Sequence, residues 1–179
     1  TFSAQRYEIW TMQSAYHNLP TVNGVMQAAG EEFAARDATF DASDTSAQFS
    51  LDIAGAYPPE AGIKSWKRTV ILQRGASVTI TDAYDLTDPA ADVTLSLLTP
   101  CKVDTSVAGK VMLASAPLPD GRRSGSAELD YEDNKLTVTV EEIPIDDPLI
   151  GHVWGDRLYR ILFQAKGPSQ QGTWTLTVS

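Results

Sequence analysis

Apolar and polar residues alternate with a period of two along most of this chain. Trp174, Leu176 and Val178 alternate with Thr173, Thr175 and Thr177. Tyr159, Ile161, Phe163 and Ala165 alternate with Leu158, Arg160, Leu162 and Gln164. Leu136, Val138 and Val140 do the same with Thr137 and Thr139, as do Val78 and Ile80 with Ser77, Thr79 and Thr81. This period marks strands with one face on a core. Turn signals interrupt the runs at short intervals: Asn23-Gly24, Arg74-Gly75, Ala108-Gly109, Asp120-Gly121, Asp133-Asn134 and Gln171-Gly172. The first suits a type I′ hairpin, in which both central residues have positive φ. The pattern predicts strands near 6–13, 20–27, 33–41, 46–53, 66–73, 77–84, 92–99, 109–115, 126–131, 135–141, 157–165 and 172–179. About a dozen short strands at hairpin spacing predict an all-β fold, a two-layer antiparallel β-sandwich.

Two segments read less plainly. Glu31 to Asp37 contains good helix formers, but Phe33, Ala35, Asp37 and Thr39 alternate with Ala34, Arg36, Ala38 and Phe40, which favours a strand. Pro58-Pro59-Glu60-Ala61 suits a single helical turn, because proline fits the first helical position. The polar, Gly/Pro-rich stretch 117–125 predicts the most flexible loop.

Composition narrows the classes. The 179 residues, 42% of them hydrophobic, suffice for one core, and positions 1–179 are read as one sandwich domain. No apolar run approaches the roughly 18 residues of a membrane span. A net charge of −9 disfavours nucleic acid as a partner, since phosphate binding needs a basic footprint. It also means that any site for an acidic ligand needs a local source of positive charge. The single cysteine, Cys101, follows Pro100 in an apolar stretch and reads as a small buried hydrophobe. The start, Thr1-Phe2-Ser3, reads as a processed end or an excised piece of a longer protein.

Much familiar chemistry is missing from the sequence. It has no P-loop, no GxGxxG, no GxSxG, no CxxC and no HExxH. With two histidines and one cysteine a closed zinc site is hard to build, and the spacing gives no support to His17 with a carboxylate such as Asp37. The acidic pairs Glu141-Glu142 and Asp146-Asp147 are adjacent residues whose side chains would point to opposite faces of a strand. They read as a strand end and solvated turns rather than as a glycosidase pair, which needs two carboxyls about 5–10 Å apart across one sugar.

The segment Tyr16-His17-Asn18-Leu19-Pro20 is the most informative in the chain. A histidine and an amide side by side before a hairpin can present two polar groups to a ligand, and histidine can carry a proton near neutral pH. The same residues would also serve as a pre-proline turn and a structural histidine.

The run from Arg6 to Gly24, with His17-Asn18 at its centre, resembles the histidine-asparagine segment that opens the β-rich region of heparinase II/III-like polysaccharide lyases. Two further blocks are similar to that family: Ser65-Trp66-Lys67-Arg68-Thr69-Val70 with Asp82 beyond it, and Asp147-Pro148-Leu149 followed by Trp154-Gly155-Asp156-Arg157-Leu158-Tyr159-Arg160-Ile161. Leu19 stands where the family often has threonine. The histidines with which some members hold a metal have no counterpart near Trp66-Lys67, so no cofactor or metal is expected.

The resemblance implies the β-rich C-terminal domain of a lyase that cleaves uronic-acid polysaccharides by β-elimination. It implies an N-terminal (α/α) toroid upstream of these residues, carrying most of the catalytic groups, and a periplasmic or secreted location. His17 would be the cleft-facing catalytic residue. Tyr16, Asn18, Lys67 and Arg68, with Lys64 nearby, would meet the acidic polysaccharide. Two other readings remain open: a structural or interaction domain, and a free-standing carbohydrate-binding module using Trp10, Trp66, Trp154 and Trp174 as a stacking platform.

Overall fold

The computed structural model describes residues 4–167 and 169–179. The chain forms twelve strands and one α-helix among these residues. In order they are β1 (Pro20–Val22), β2 (Arg36–Ala42), β3 (Ser46–Asp52), β4 (Ile63–Gln73), β5 (Ser77–Leu86), β6 (Val93–Thr99), β7 (Lys102–Asp104), β8 (Lys110–Ala114), β9 (Ala127–Tyr131), β10 (Leu136–Pro144), α1 (Pro148–Trp154), β11 (Arg157–Ala165) and β12 (Gln171–Val178). They make two antiparallel sheets. The smaller runs β1-β6-β11-β10 and the larger β2-β3-β4-β5-β12-β9-β8-β7. This is the predicted two-layer sandwich.

The alternating residues explain the layers. Trp174 and Leu176 of β12 point inward with Trp66 of β4, Tyr84 of β5 and Leu129 of β9, and meet Ile161 and Phe163 of β11. Tyr131 reaches Phe163 across the layers with ring centroids 5.4 Å apart. Trp66, Tyr84 and Trp174 form one aromatic cluster, with centroids 5.0, 5.7 and 5.1 Å apart. Gly172 lies directly opposite Tyr84 in the β5–β12 ladder. A Cβ on Gly172 would come within 2.4 Å of the Tyr84 ring. Gly172→Ala should therefore destabilise the domain by about 1–3 kcal/mol, as overpacking commonly does; urea unfolding midpoints would measure it.

The inward face of the larger sheet extends beyond its cover. Phe40, Phe49 and Val70 lie side by side across β2, β3 and β4, on the same side as Arg68 and Trp66. Phe40 is 69% exposed and Phe49 41%.

Several sequence expectations are corrected. Residues 6–13 are not a strand: the chain makes 3-10 turns at Ala4–Glu8, Trp10–Met12 and Ser14–Tyr16. The hydrogen bonds run locally, from Met12 N to Ile9 O (2.9 Å) and Gln13 N to Trp10 O (3.0 Å). The strand expected over 20–27 stops at Val22. The Asn23-Gly24 turn does form, with φ of 52° and 73°, closed by a single bridge between Val22 and Val25.

Residues 33–41 hold no helix, but the strand starts only at Arg36 and is exposed throughout. Asp37 takes φ 53° and the register shifts between Arg36 and Thr39, so the expected alternation is broken by a bulge. Pro59–Ala61 forms the expected turn. The 117–125 loop is tied by Leu118 N to Arg122 O (2.8 Å) and a Pro117–Arg123 bridge. Cys101 is buried.

The pattern missed β7 and α1. The helix is marked by chemistry rather than periodicity. Asp147 caps it, its Oδ1 accepting from Leu149 N at 2.8 Å; Pro148 takes the first turn; Gly155 ends it with φ 91°.

Candidate functional site

The loop Tyr16–Pro20 lies where the 3-10 segment runs into β1, and four separate contacts fix it. Asn18 Oδ1 accepts from Leu98 N of β6 at 3.0 Å. Ser96 N donates to Leu19 O at 3.1 Å, extending the β1–β6 pairing into the loop. Arg68 Nη1 donates to Asn18 O at 2.6 Å. Tyr57 OH donates to Pro20 O at 2.6 Å. Burial pushes the Tyr57 phenol well above its ordinary range, so it stays protonated and remains a donor.

Beneath the loop is a buried charge pair. Arg68 and Asp82 meet through two parallel bonds, Nε to Oδ1 and Nη2 to Oδ2, both 2.8 Å. Trp66 Nε1 donates to Asp82 Oδ1 at 2.8 Å. The Asp82 side chain is fully buried and that of Arg68 is 10% exposed. Two-point geometry plus extra donors is what makes a buried pair tolerable. The remaining Arg68 nitrogen is the one that grips the loop. The Trp66–Arg68 and Asp82 positions of the sequence thus act as a foundation for His17-Asn18.

His17 itself is exposed. Its Nε2 lies 3.2 Å from Thr11 O. A carbonyl only accepts, so Nε2 carries the proton and Nδ1 is the ring nitrogen left for other work. The imidazole stands on a ridge between two depressions. One, of about 480 Å³, has Tyr7, Met12, Gln13 and Gln27 among its lining. The other, of about 470 Å³, is lined by Trp10, Tyr16, Asn18, Pro100, Ile150, Trp154 and Leu158 among others. Tyr16 is clamped in the wall of the second: its ring packs against Trp10 at 5.2 Å, and the Arg160 guanidinium lies 4.5 Å from the ring centroid. Arg160 also donates to Ala15 O at 3.3 Å and pairs with Glu141 at 2.8 Å.

The structure thus brings Tyr16, His17 and Asn18 together at one groove, with Arg68 under them. Arg68 is committed to Asp82 and to the loop backbone, with Nε, Nη1 and Nη2 each donating to a protein oxygen. Lys67 is separated from them. It neighbours Trp66 and Arg68 along β4, and the pleat sends it to the opposite face. There it borders a shallow depression with Ser65, Asp85, Gln171 and Thr173. Lys64 is paired with Asp85 at 3.2 Å. Among the described residues lining the aromatic groove there is no lysine or arginine, and His17 is the one side chain able to become cationic.

Sequence reasoning missed Arg160 and the convergence of Trp10 with Trp154. The three-residue spacing Tyr7, Trp10, Gln13, Tyr16 was a usable signal of 3-10 structure. Trp66 and Trp174 are core residues, so a four-tryptophan platform does not exist. Among the described residues no group of three or more His, Cys, Asp or Glu is placed to hold a metal. No helix among them is long and apolar enough to cross a membrane.

No protein-family model matches the sequence, and neither does any curated protein. Solved structures do match. Heparan sulfate lyase HepC from Pedobacter heparinus superposes with a TM-score of 0.67 at 11% identity, over 99% of this chain and 26% of that one. The fold is the one found in heparinase III. A heparinase III gene product gives a TM-score of 0.68 at 10% identity, again over 99% and 26% of the two chains. A further heparinase III structure gives 0.61 at 12%, over 98% and 25%. This chain therefore spans about a quarter of the length of each heparinase it matches.

Proposed function

We propose that this chain is the β-sandwich part of a heparinase II/III-like polysaccharide lyase, forming one wall of a cleft for a uronic-acid polysaccharide. The observation that carries this reading is the exposed His17, held on a loop whose flanking carbonyls and amide are all fixed from below, at the rim of an aromatic groove. Such effort in positioning one solvent-facing imidazole suits catalysis better than packing.

β-Elimination needs three services: neutralising the uronate carboxylate, removing the proton beside it, and protonating the leaving oxygen. This wall offers one imidazole and one clamped phenol, with no lysine or arginine among the described groove-lining residues. The other groups come from an upstream helical toroid, and the chain by itself is inactive. With Nε2 spent on Thr11 O, His17 turns Nδ1 to the substrate and, protonated there, contributes a hydrogen bond to the charge that develops as the carboxylate becomes enolate-like, while Tyr16 and Asn18 contact the sugar.

The test is to incubate the full-length protein and the isolated 179-residue chain with a panel of uronate polysaccharides, following ultraviolet absorbance of the unsaturated product. The full-length protein should form product and the isolated chain should not. Product from the chain alone, or none from the full-length protein on any member of the panel, would count against the proposal.

A further inference from the structure

We infer that Trp154 is a stacking platform for a pyranose ring of the substrate, in the same groove as His17. This rests on the lyase reading above but names a subsite that the reading does not require.

Four tryptophans occur in the chain, and two of them, Trp66 and Trp174, are consumed by the core. The other two come from opposite ends of the sequence, Trp10 from the 3-10 segment and Trp154 from α1, and line the same groove as His17. Trp154 is 44% exposed. The core does not need it, yet it is held with care. α1 is only seven residues long and too short to persist unaided. Its ends are pinned by the Asp147 cap and by Gly155 N donating to Gly151 O at 2.9 Å. Its base is pinched by Ile145 N donating to Asp156 O at 2.8 Å. Ile150 and Trp154, one turn apart, face the groove, whereas Leu149 is 81% exposed.

The lining explains why the ligand would be gripped by stacking. The groove has the volume of a small-molecule site, roughly 300–1,000 Å³. With no lysine or arginine among its described lining residues, it cannot hold an acidic sugar mainly by ion pairing. An indole can, because the C–H face of a pyranose lies against the electron-rich ring face while the hydroxyls point to polar neighbours. Asn18 is one such neighbour: its Oδ1 is taken by Leu98 N, which leaves its amide nitrogen as a donor.

The experiment uses the full-length protein and an unsulfated uronate hexasaccharide. Trp154→Ala should raise KM about tenfold while kcat stays within about twofold, the mark of lost binding common to ground and transition states. Trp154→Leu keeps an apolar side chain in the groove that Ile150 and Leu158 also line and guards against misfolding; it should be as poor as alanine. Trp154→Phe should restore KM to within about threefold, and Leu149→Ala should match wild type. Wild-type KM in Trp154→Ala or Trp154→Leu overturns the stacking role, and His17→Ala then reports separately on the lyase reading. A defect in Leu149→Ala equal to that of Trp154→Ala makes α1 a protein-docking face and overturns the inference. A wild-type protein that neither binds nor cleaves the hexasaccharide overturns both.

Discussion

Asp82→Ala will cost the isolated domain about 3–5 kcal/mol, the penalty expected when one partner of a buried ion pair is removed. The loss exceeds that of a single hydrogen bond because three groups depend on this carboxylate. Arg68 would keep its charge in a site where it is 9% exposed, with nothing to balance it. The Trp66 indole N–H would lose its acceptor inside the aromatic cluster. Asn18 would lose the guanidinium in its present position. Against a total of about 5–15 kcal/mol for a typical domain, that is a large share. Denaturant unfolding should show a lower midpoint with an unchanged slope.

The Lys64–Asp85 pair supplies the contrast. It sits at the surface, with side chains 46% and 29% exposed, so Asp85→Ala should leave the midpoint near wild type. A paired replacement, Arg68→Met with Asp82→Leu, should recover part of the lost stability by removing the unbalanced charge, although the Trp66 indole N–H stays without its acceptor. It would still not restore a donor to Asn18 O. That variant should fold and yet lose turnover in the full-length protein. If it retained full activity, the Arg68 grip on the loop would have no functional role.

The strands that sequence predicts well are those that bury one face and wet the other. β3 to β6 and β8 to β12 carry such alternation, because each lies in a sheet with the other sheet or solvent on either side. Where that condition fails, so does the pattern. β2 is exposed on both faces, so nothing in its sequence fixes which side is which. The 3-10 segment pairs with no strand among the described residues, and Tyr7 and Ile9 around Glu8 imitate the alternation of a short half-buried strand. α1 is written in caps, Asp147-Pro148 and Gly155, rather than in periodicity.

The site divides in the same way. His17-Asn18 is legible as a local polar pair before a proline, and the family resemblance drew attention to it. Arg68 is legible as a cation but not as a buried one, because burial depends on Asp82 lying opposite it in the β4–β5 ladder. Arg160 touches Ala15 across 145 positions of sequence, and no local pattern encodes such a meeting. The same holds for Trp10 and Trp154.

In the full-length protein, His17→Ala should lower turnover by roughly a hundredfold or more while leaving the fold nearly intact. Both halves of this expectation follow from where the side chain sits. Its loop is held by Asn18, Arg68, Tyr57 and the β6 backbone, none of which uses the imidazole. The imidazole makes one hydrogen bond, to Thr11 O, at an exposed position. Removing it opens no core cavity, so the unfolding midpoint should barely move. The chemistry has no substitute close by, because the described groove-lining residues include no lysine or arginine to take over the stabilisation of an enolate-like carboxylate. His17→Gln restores a hydrogen-bond donor without an ionisable ring. It should recover part of the rate if donation is the main service, and none if proton transfer is. The pH profile of kcat/KM separates the two further, since a group that titrates in catalysis leaves one limb missing when it is replaced. A lowered unfolding midpoint with unchanged turnover per folded molecule would instead make His17 a structural residue, and the lyase reading would lose the observation that carries it.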